Sequence, residues 1–103
     1  TAAPHVAAER MRMAMEAGCG GLVLAAEDLH DAFTLAPKMT RVVPGIRSAG
    51  GDTHDQARPA TPGEAISAGA DLLVVGRAVT QAADPVAASA SIADEVRATL
   101  ALR

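Results

Sequence analysis

Aromatic residues are nearly absent from this sequence. Its 103 residues include one Phe and neither Tyr nor Trp, although 50% of them are hydrophobic. The core must therefore be built from Ala, Val, Leu, Ile and Met, whose small side chains suit helices packed closely on a sheet. The net charge is −3, and no basic run or aromatic platform is present. Nucleic acid is therefore not an expected partner.

Cysteine and lysine are also scarce. A single cysteine, Cys19, excludes an internal disulfide and is predicted to be a small buried side chain, with a reactive thiol as the alternative. Lys38 is the only lysine, and every other basic residue is arginine. No apolar run approaches the length of a bilayer and no leader peptide opens the chain, so we expect a cytoplasmic protein without a membrane partner.

Helical and strand patterns alternate along the chain. The predicted helices cover residues 4–17, 27–36, 61–69 and 84–102, and the predicted strands cover 21–25, 40–46 and 72–75. This alternation is typical of parallel strands joined by right-handed crossovers. Thr61 and Glu64 are predicted to form a capping box, and Asp84 to cap the last helix. Met11 and Met13 are predicted to face the core.

Two segments of the chain align without gaps. Residues 16–25 and 67–76 each read as a helix end, a glycine cap, a tight turn and a buried strand. An internal repeat or convergence of αβ loops on one solution explains the match equally well. Three such strands leave two unpaired sheet edges and one uncovered face. The sequence therefore predicts an α/β fold in which residues 1–103 form the C-terminal part of a TIM (βα)₈ barrel, with three parallel strands and four helices.

Two consecutive predicted strands end in a glycine and an arginine, at Gly45-Ile46-Arg47 and at Gly76-Arg77. In (βα)₈ barrels the loops after the last two strands commonly build a phosphate site, and arginine with exposed backbone N–H groups suits phosphate. A structural salt bridge is the alternative for Arg77. Gln56, in the long polar loop, can donate a side-chain N–H to a phosphate oxygen, although such a loop can also be a solvated linker.

His54 lies between two aspartates in this loop, which superficially suggests a metal site or a general base. The spacing is not a recognised ligand set, and no second histidine is near in sequence. No metal is therefore expected.

Several motifs combine into a specific pattern. They are Val43-Pro44-Gly45-Ile46-Arg47, the Gly-Asp-x-x-Asp-Gln loop from Gly51 to Gln56, Thr61-Pro62, and the run from Leu73 to Pro85 that contains Val75-Gly76-Arg77. Together they resemble the C-terminal portion of the orotidine 5′-phosphate decarboxylases of the bacterial type.

The resemblance implies an enzyme of pyrimidine biosynthesis that converts orotidine 5′-monophosphate to uridine 5′-monophosphate and carbon dioxide. It implies a homodimer that uses no cofactor or metal. Gln56, Gly76 and Arg77 would hold the 5′-phosphate of the nucleotide, Pro44 would line the pyrimidine pocket, and Arg47 would be a further ligand-binding residue.

The proton donor of that family is missing from the chain. The resemblance implies that decarboxylation needs an Asp-x-Lys-x-x-Asp array at the end of an earlier strand, which this sequence does not contain. Lys38 precedes a strand and is expected at the opposite end of the barrel. We therefore expect an isolated chain to be inactive and to need the N-terminal half. The alternative is a non-catalytic phosphate-binding or self-associating partial barrel.

Overall fold

The computed structural model describes residues 4–47 and 60–103, which alternate between helices and short strands. In chain order the elements are α1 (Pro4–Glu16), β1 (Gly21–Val23), a 3₁₀ turn (Ala26–Asp28), α2 (Leu29–Leu35), β2 (Thr40–Val43), α3 (Pro62–Ser67), β3 (Leu72–Leu73), α4 (Arg77–Thr80) and α5 (Pro85–Leu100).

The three strands form one parallel sheet in the order β1-β2-β3. Val23 pairs with Val42, which pairs in turn with Leu72, so these three side chains form a row on one face. Because neighbouring strands in the sheet are also neighbours in sequence, each connection crosses over through a helical segment. This is the topology predicted from the alternating pattern.

Two helix starts follow the predicted capping chemistry. The Thr61 hydroxyl accepts a hydrogen bond from the Glu64 N–H at 3.1 Å, and the Glu64 carboxylate accepts one from the Thr61 N–H at 2.9 Å. At α5 the Asp84 carboxylate accepts a hydrogen bond from the Ala87 N–H at 3.1 Å. Both caps satisfy N–H groups that the first helical turn leaves without intrahelical partners.

The two aligned segments adopt the same turn. Gly18 and Gly69 have positive φ values of 84° and 112°, which glycine adopts without a steric penalty. The N–H of Gly18 donates to the Met15 carbonyl at 3.1 Å, and the N–H of Gly69 donates to the Ile66 carbonyl at 3.1 Å. The sequence match therefore reflects one recurring helix end that delivers the chain to a parallel strand.

The core lies between the helices and one face of the sheet. It consists of Leu29, Val43, Ile46, Ala60, Ala65, Ile66 and Ala70. On the opposite face the side chains of Val23 and Leu72 are 72% and 58% exposed. The helices therefore cover one face of the sheet and leave the other apolar face uncovered.

Strand β2 is shorter than predicted. It ends at Val43 rather than at residue 46, because Pro44 has no N–H for the strand ladder and Gly45 turns the backbone with a φ of 74°. Ile46 then forms an isolated parallel bridge with Ala60. Strand β3 is likewise limited to Leu72–Leu73, although the Val74 N–H still donates to the Val43 carbonyl at 2.9 Å.

Three further predictions need correction. The described residues contain five α-helices rather than four, because the chain turns at once into the short helix α4 after β3. Met11 is buried as predicted, but Met13 is 57% exposed, so the methionines do not form one core face. Cys19 is exposed, since it follows the left-handed turn at Gly18 on the surface. None of the described helices is long and apolar enough to cross a membrane.

Candidate phosphate-binding site

Beyond the carboxyl end of β2, residues 45–47 are hydrogen-bonded to Ala60, and we call this paired backbone the loop stem. The Arg47 N–H donates to the Ala60 carbonyl at 2.9 Å, and the Ala60 N–H donates to the Gly45 carbonyl at 3.4 Å. Ile46 is fully buried between these contacts. The backbone before and after residues 48–59 is therefore held together at the edge of the sheet where the sequence predicts a ligand.

Arg47 is a buried cation whose hydrogen-bonding capacity is only partly used. Its side chain is 6% exposed, and its Nη1 donates to the Ile46 carbonyl at 2.7 Å. The buried Nε has no hydrogen-bond partner within the part of the chain that the structure describes. A buried polar group without a partner costs about 1–3 kcal/mol, and more when it is charged. An anionic ligand at this edge would supply both an acceptor and a counter-charge.

The carboxyl end of β3 presents an open glycine and an arginine. Gly76 is exposed and caps α4, and its carbonyl accepts hydrogen bonds from the Val79 and Thr80 N–H groups at 3.0 Å each. A Cβ added at Gly76 would meet no atom within 4 Å, so the space beside this backbone is open. Arg77 is the first residue of α4 and is half-buried.

The structure brings four of the five predicted binding residues to the carboxyl ends of two neighbouring strands. Because β2 and β3 are adjacent and parallel, Pro44 and Arg47 follow one strand while Gly76 and Arg77 follow its neighbour. The fifth residue, Gln56, lies outside the described residues, as does His54. Lys38 is exposed on the turn before β2, which places it at the opposite edge, as predicted.

One contact of the loop stem was missed by the sequence analysis. The Gly63 N–H, in the first turn of α3, donates to the Glu95 carboxylate of α5 at 2.6 Å. This charge-assisted hydrogen bond fixes the start of α3 three residues after Ala60, where the loop returns to the sheet. Nothing local could have revealed it, because 32 residues separate the two partners.

The capping box near the loop stem also lowers the pKa of Glu64. The pKa of Glu64 lies below its ordinary value of 4.5, because its carboxylate accepts the Thr61 backbone hydrogen bond and interacts with the Thr61 hydroxyl. These contacts favour the ionised carboxylate over the protonated form.

A family model matches most of the chain. The model described as orotidine 5′-phosphate decarboxylase / HUMPS family matches residues 2–92. The chain belongs to this family. The matched residues include the long polar loop and the segments after β2 and β3 that contain Arg47 and Arg77.

Two curated members of the family show how much of the protein the chain represents. The orotidine 5′-phosphate decarboxylase of Bradyrhizobium sp. strain BTAi1 is 48% identical over 99 residues, which is 95% of this chain and 41% of that protein. The Gluconobacter oxydans enzyme of the same name is 49% identical over 88 residues, which is 82% of this chain and 36% of that protein. The chain therefore spans about two fifths of the length of the curated relatives it matches.

Solved family structures give the same result for the fold. The crystal structure of orotidine 5′-phosphate decarboxylase from Lactobacillus acidophilus matches with a TM-score of 0.73 and 28% identity, covering 90% of this chain and 37% of that one. The enzyme from Pyrococcus horikoshii OT3 matches with a TM-score of 0.68 and 28% identity, covering 87% of this chain and 41% of that one. These matches confirm that the chain is part of a TIM barrel.

Proposed function

We propose that the chain is the phosphate-holding part of an orotidine 5′-phosphate decarboxylase, which converts orotidine 5′-monophosphate to uridine 5′-monophosphate and carbon dioxide in pyrimidine biosynthesis. The main support is the buried Arg47 side chain, whose Nε has no partner among the described residues, at the sheet edge that also carries Arg77. The family membership gives this edge its expected ligand, the 5′-phosphate of a nucleotide.

In this proposal each predicted residue has a separate task. Arg77, Gln56 and the Gly76 backbone bind the phosphate, Arg47 contributes a second guanidinium, and Pro44 lines the pyrimidine pocket. The loop stem holds Gly45 and Arg47 beside Ala60 at the same end of the sheet. Binding the phosphate away from the reacting carbon lets the enzyme use that binding energy to organise the reacting centre.

A non-catalytic phosphate-binding or self-associating partial barrel is the second candidate. It is favoured by the lysine content, since the only lysine of the 103 residues lies at the edge opposite Arg47. The proposed chemistry needs a lysine that protonates the carbanion, so a decarboxylase requires a further segment that supplies this group. That segment would contain the Asp-x-Lys-x-x-Asp array and would complete a homodimeric enzyme.

Native mass spectrometry of the protein purified from its own source tests the proposal. The expected species contains this chain together with the lysine-bearing segment, in the same or a second polypeptide, and binds uridine 5′-monophosphate. A chain that remains alone or self-associated and ignores the nucleotide would contradict the decarboxylase assignment.

The phosphate-binding role is tested by comparing uridine 5′-monophosphate with uridine in calorimetric titrations of that species. Arg77→Ala should reduce nucleotide affinity by roughly 30- to 150-fold, corresponding to about 2–3 kcal/mol for lost charge-assisted hydrogen bonds, and should leave uridine binding unchanged. Arg10→Ala is the control, because Arg10 is exposed on α1. Unchanged nucleotide affinity in Arg77→Ala would refute the phosphate site.

A further inference from the structure

The backbone that carries Arg47 has already left the ladder of strand β2. The strand ends at Val43, and Pro44 and Gly45 turn the chain away from it, with a φ of 74° at Gly45. The Arg47 N–H donates to the Ala60 carbonyl at 2.9 Å, and the Ala60 N–H donates to the Gly45 carbonyl at the longer distance of 3.4 Å. The position of Arg47 therefore depends on where Ala60 is held.

The start of helix α3 decides the position of Ala60, because the helix follows it directly. The capping box of Thr61 and Glu64 closes the first turn of α3, but both partners lie within that turn, so it does not attach the turn to another element. The buried face of α3 packs into the core, yet apolar packing is non-directional and leaves the helix free to slide. A directional contact with a neighbouring element is needed to fix its start.

Glu95 of α5 supplies this contact. Its carboxylate accepts a hydrogen bond from the Gly63 N–H, in the first turn of α3, at 2.6 Å. A Cβ added at Gly63 would lie 3.0 Å from Glu95 Oε2 and 3.2 Å from Thr99 Oγ1, so the two helices meet here with little room for a side chain. The Thr99 hydroxyl donates in turn to the Glu95 carbonyl at 2.8 Å. The contact between α3 and α5 is therefore both directional and closely packed.

Helix α5 also supports the second arginine of the candidate site. It packs against α4 as well as against α3, and Arg77 is the first residue of α4. The same helix thus holds the segment that begins with Arg77 and the segment that returns to the sheet beside Arg47. Donors that share one small anion must be placed to within about 0.5 Å, and the side chains that support them provide this accuracy. A contact that fixes α3 on α5 therefore sets the spacing of the two arginine-bearing segments.

We propose that Glu95 is a positioning residue for phosphate binding, which acts without touching the nucleotide. Its carboxylate fixes the start of α3 through the Gly63 N–H, and the start of α3 fixes Ala60. Ala60 then sets the position of Arg47 relative to Arg77. This inference rests on the proposed function, because it concerns the accuracy of the same phosphate site.

The test measures phosphate selectivity, which is the dissociation constant for uridine divided by that for uridine 5′-monophosphate. Calorimetric titrations use the species that contains this chain and the lysine-bearing segment. Glu95→Ala should lower the selectivity roughly five- to tenfold, because the backbone of Arg47 shifts by a fraction of an ångström, and should leave uridine affinity unchanged. A residue that only stabilises the fold would lower the urea midpoint without changing the selectivity, and that outcome would overturn the proposal.

A conservative variant and a matched control identify the hydrogen bond as the cause. Glu95→Gln retains an oxygen that can accept the Gly63 N–H, so it should recover most of the selectivity. Asp94→Ala should leave the selectivity unchanged, because Asp94 is 76% exposed on the same helix. Equal losses in Glu95→Gln and Glu95→Ala, or a loss in Asp94→Ala, would contradict a role through the Gly63 contact.

Gly63→Ala approaches the same contact from α3. The added methyl group crowds the Glu95 carboxylate, so this variant should also lower the selectivity, and it decides the question if Glu95→Ala does not fold.

The same titrations separate this inference from the proposed function. An original protein that binds uridine 5′-monophosphate no more tightly than uridine would refute the proposed function. If the original protein prefers the nucleotide and Arg77→Ala removes that preference, while Glu95→Ala and Gly63→Ala both keep it, only the positioning role fails.

Discussion

Strand β2 has a buried arginine near each end, and the two arginines differ in how many of their hydrogen-bond donors have partners within the described protein. At the amino end Arg41 is 7% exposed, and its Nε donates to the Gly69 carbonyl at 2.8 Å while Nη1 donates to the Pro37 carbonyl at 3.3 Å. Its Nη2 lies 3.5 Å from the Asp71 carboxylate. Beyond the carboxyl end Arg47 is 6% exposed, yet it donates to its neighbouring carbonyl and keeps an unpartnered Nε within the described structure.

This difference separates an arginine that the fold itself uses from one for which we propose a ligand-binding role. Arg41 ties the turns before β2 and β3 together and lies 5.1 Å from the ring centroid of Phe33. The protein itself uses the donors of Arg41, whereas the Nε of Arg47 has no hydrogen-bond partner among the described residues. The contrast agrees with the general division of (βα)₈ barrels, in which one end of the strands contributes stability and the other carries function.

Removing Arg41 should have the largest effect on stability. Arg41→Met leaves the Gly69 and Pro37 carbonyls without their donor and the Asp71 carboxylate without its cation, so we expect a loss of about 3 kcal/mol in the free energy of unfolding. Urea unfolding followed by circular dichroism measures this. Arg97→Met is the control, because Arg97 is 73% exposed in its pair with Asp94 and should contribute at most about 0.5 kcal/mol. Equal losses would remove the distinction between a buried network and a surface pair.

Arg47→Met should give the opposite pattern. Replacing a buried guanidinium that lacks one acceptor should leave the free energy of unfolding within about 1 kcal/mol of its original value, because the apolar side chain needs no hydrogen bonds. Affinity for uridine 5′-monophosphate should fall roughly tenfold or more, since a charge-assisted contact is lost. Calorimetry and urea unfolding of the same nucleotide-binding preparation measure both quantities. A large loss of stability with unchanged affinity would make Arg47 a second structural arginine.

Local chemistry explains why much of the fold could be predicted. The capping box at Thr61 and Glu64 and the left-handed glycines Gly18 and Gly69 depend on residues within one or two turns, and each was found as predicted. The alternation of helices and strands then indicated parallel strands and an incomplete barrel. Of the candidate site, the sequence predicted the end of the sheet at which it lies, because Arg47 and Arg77 each follow one of two neighbouring strands by a few residues.

The features that the sequence analysis missed or predicted wrongly depend on contacts between distant residues. The network of Arg41 joins β2 to residues 28 and 30 positions away, and no local pattern marks it. The exposure of Met13 and Cys19 likewise depends on which helix faces find partners, and apolar periodicity alone cannot determine that. Packing between residues distant in sequence therefore determines these features, and the local sequence pattern could not predict them.

The carboxyl end of the sheet also contains polar groups that are hydrogen-bonded within the protein, and the Gly63–Glu95 pair beside the loop stem is one example. Glu95→Ala would remove the carboxylate that accepts the Gly63 N–H, and we expect it to lower the free energy of unfolding by about 1–2 kcal/mol. Asp94→Ala is the matched control on the same helix, since Asp94 is 76% exposed and pairs with Arg97 on the surface. Urea midpoints of the two variants should differ accordingly. Indistinguishable midpoints would mean that the Gly63 contact adds no stability.

The smallest predicted effect concerns acid stability at the same stem. The folded pKa of Glu64 lies below its ordinary value of 4.5, so the carboxylate contributes stability above pH 4.5 and loses it as the pH falls through the folded pKa. Glu64→Gln retains an amide oxygen that can accept the Thr61 N–H but has no proton to bind. Between pH 5 and 3 this variant should therefore lose less stability than the original protein in urea unfolding. Parallel pH profiles would show that the capping box contributes nothing to the acid sensitivity of this end of the sheet, and that its contact with Thr61 is equally strong for either protonation state.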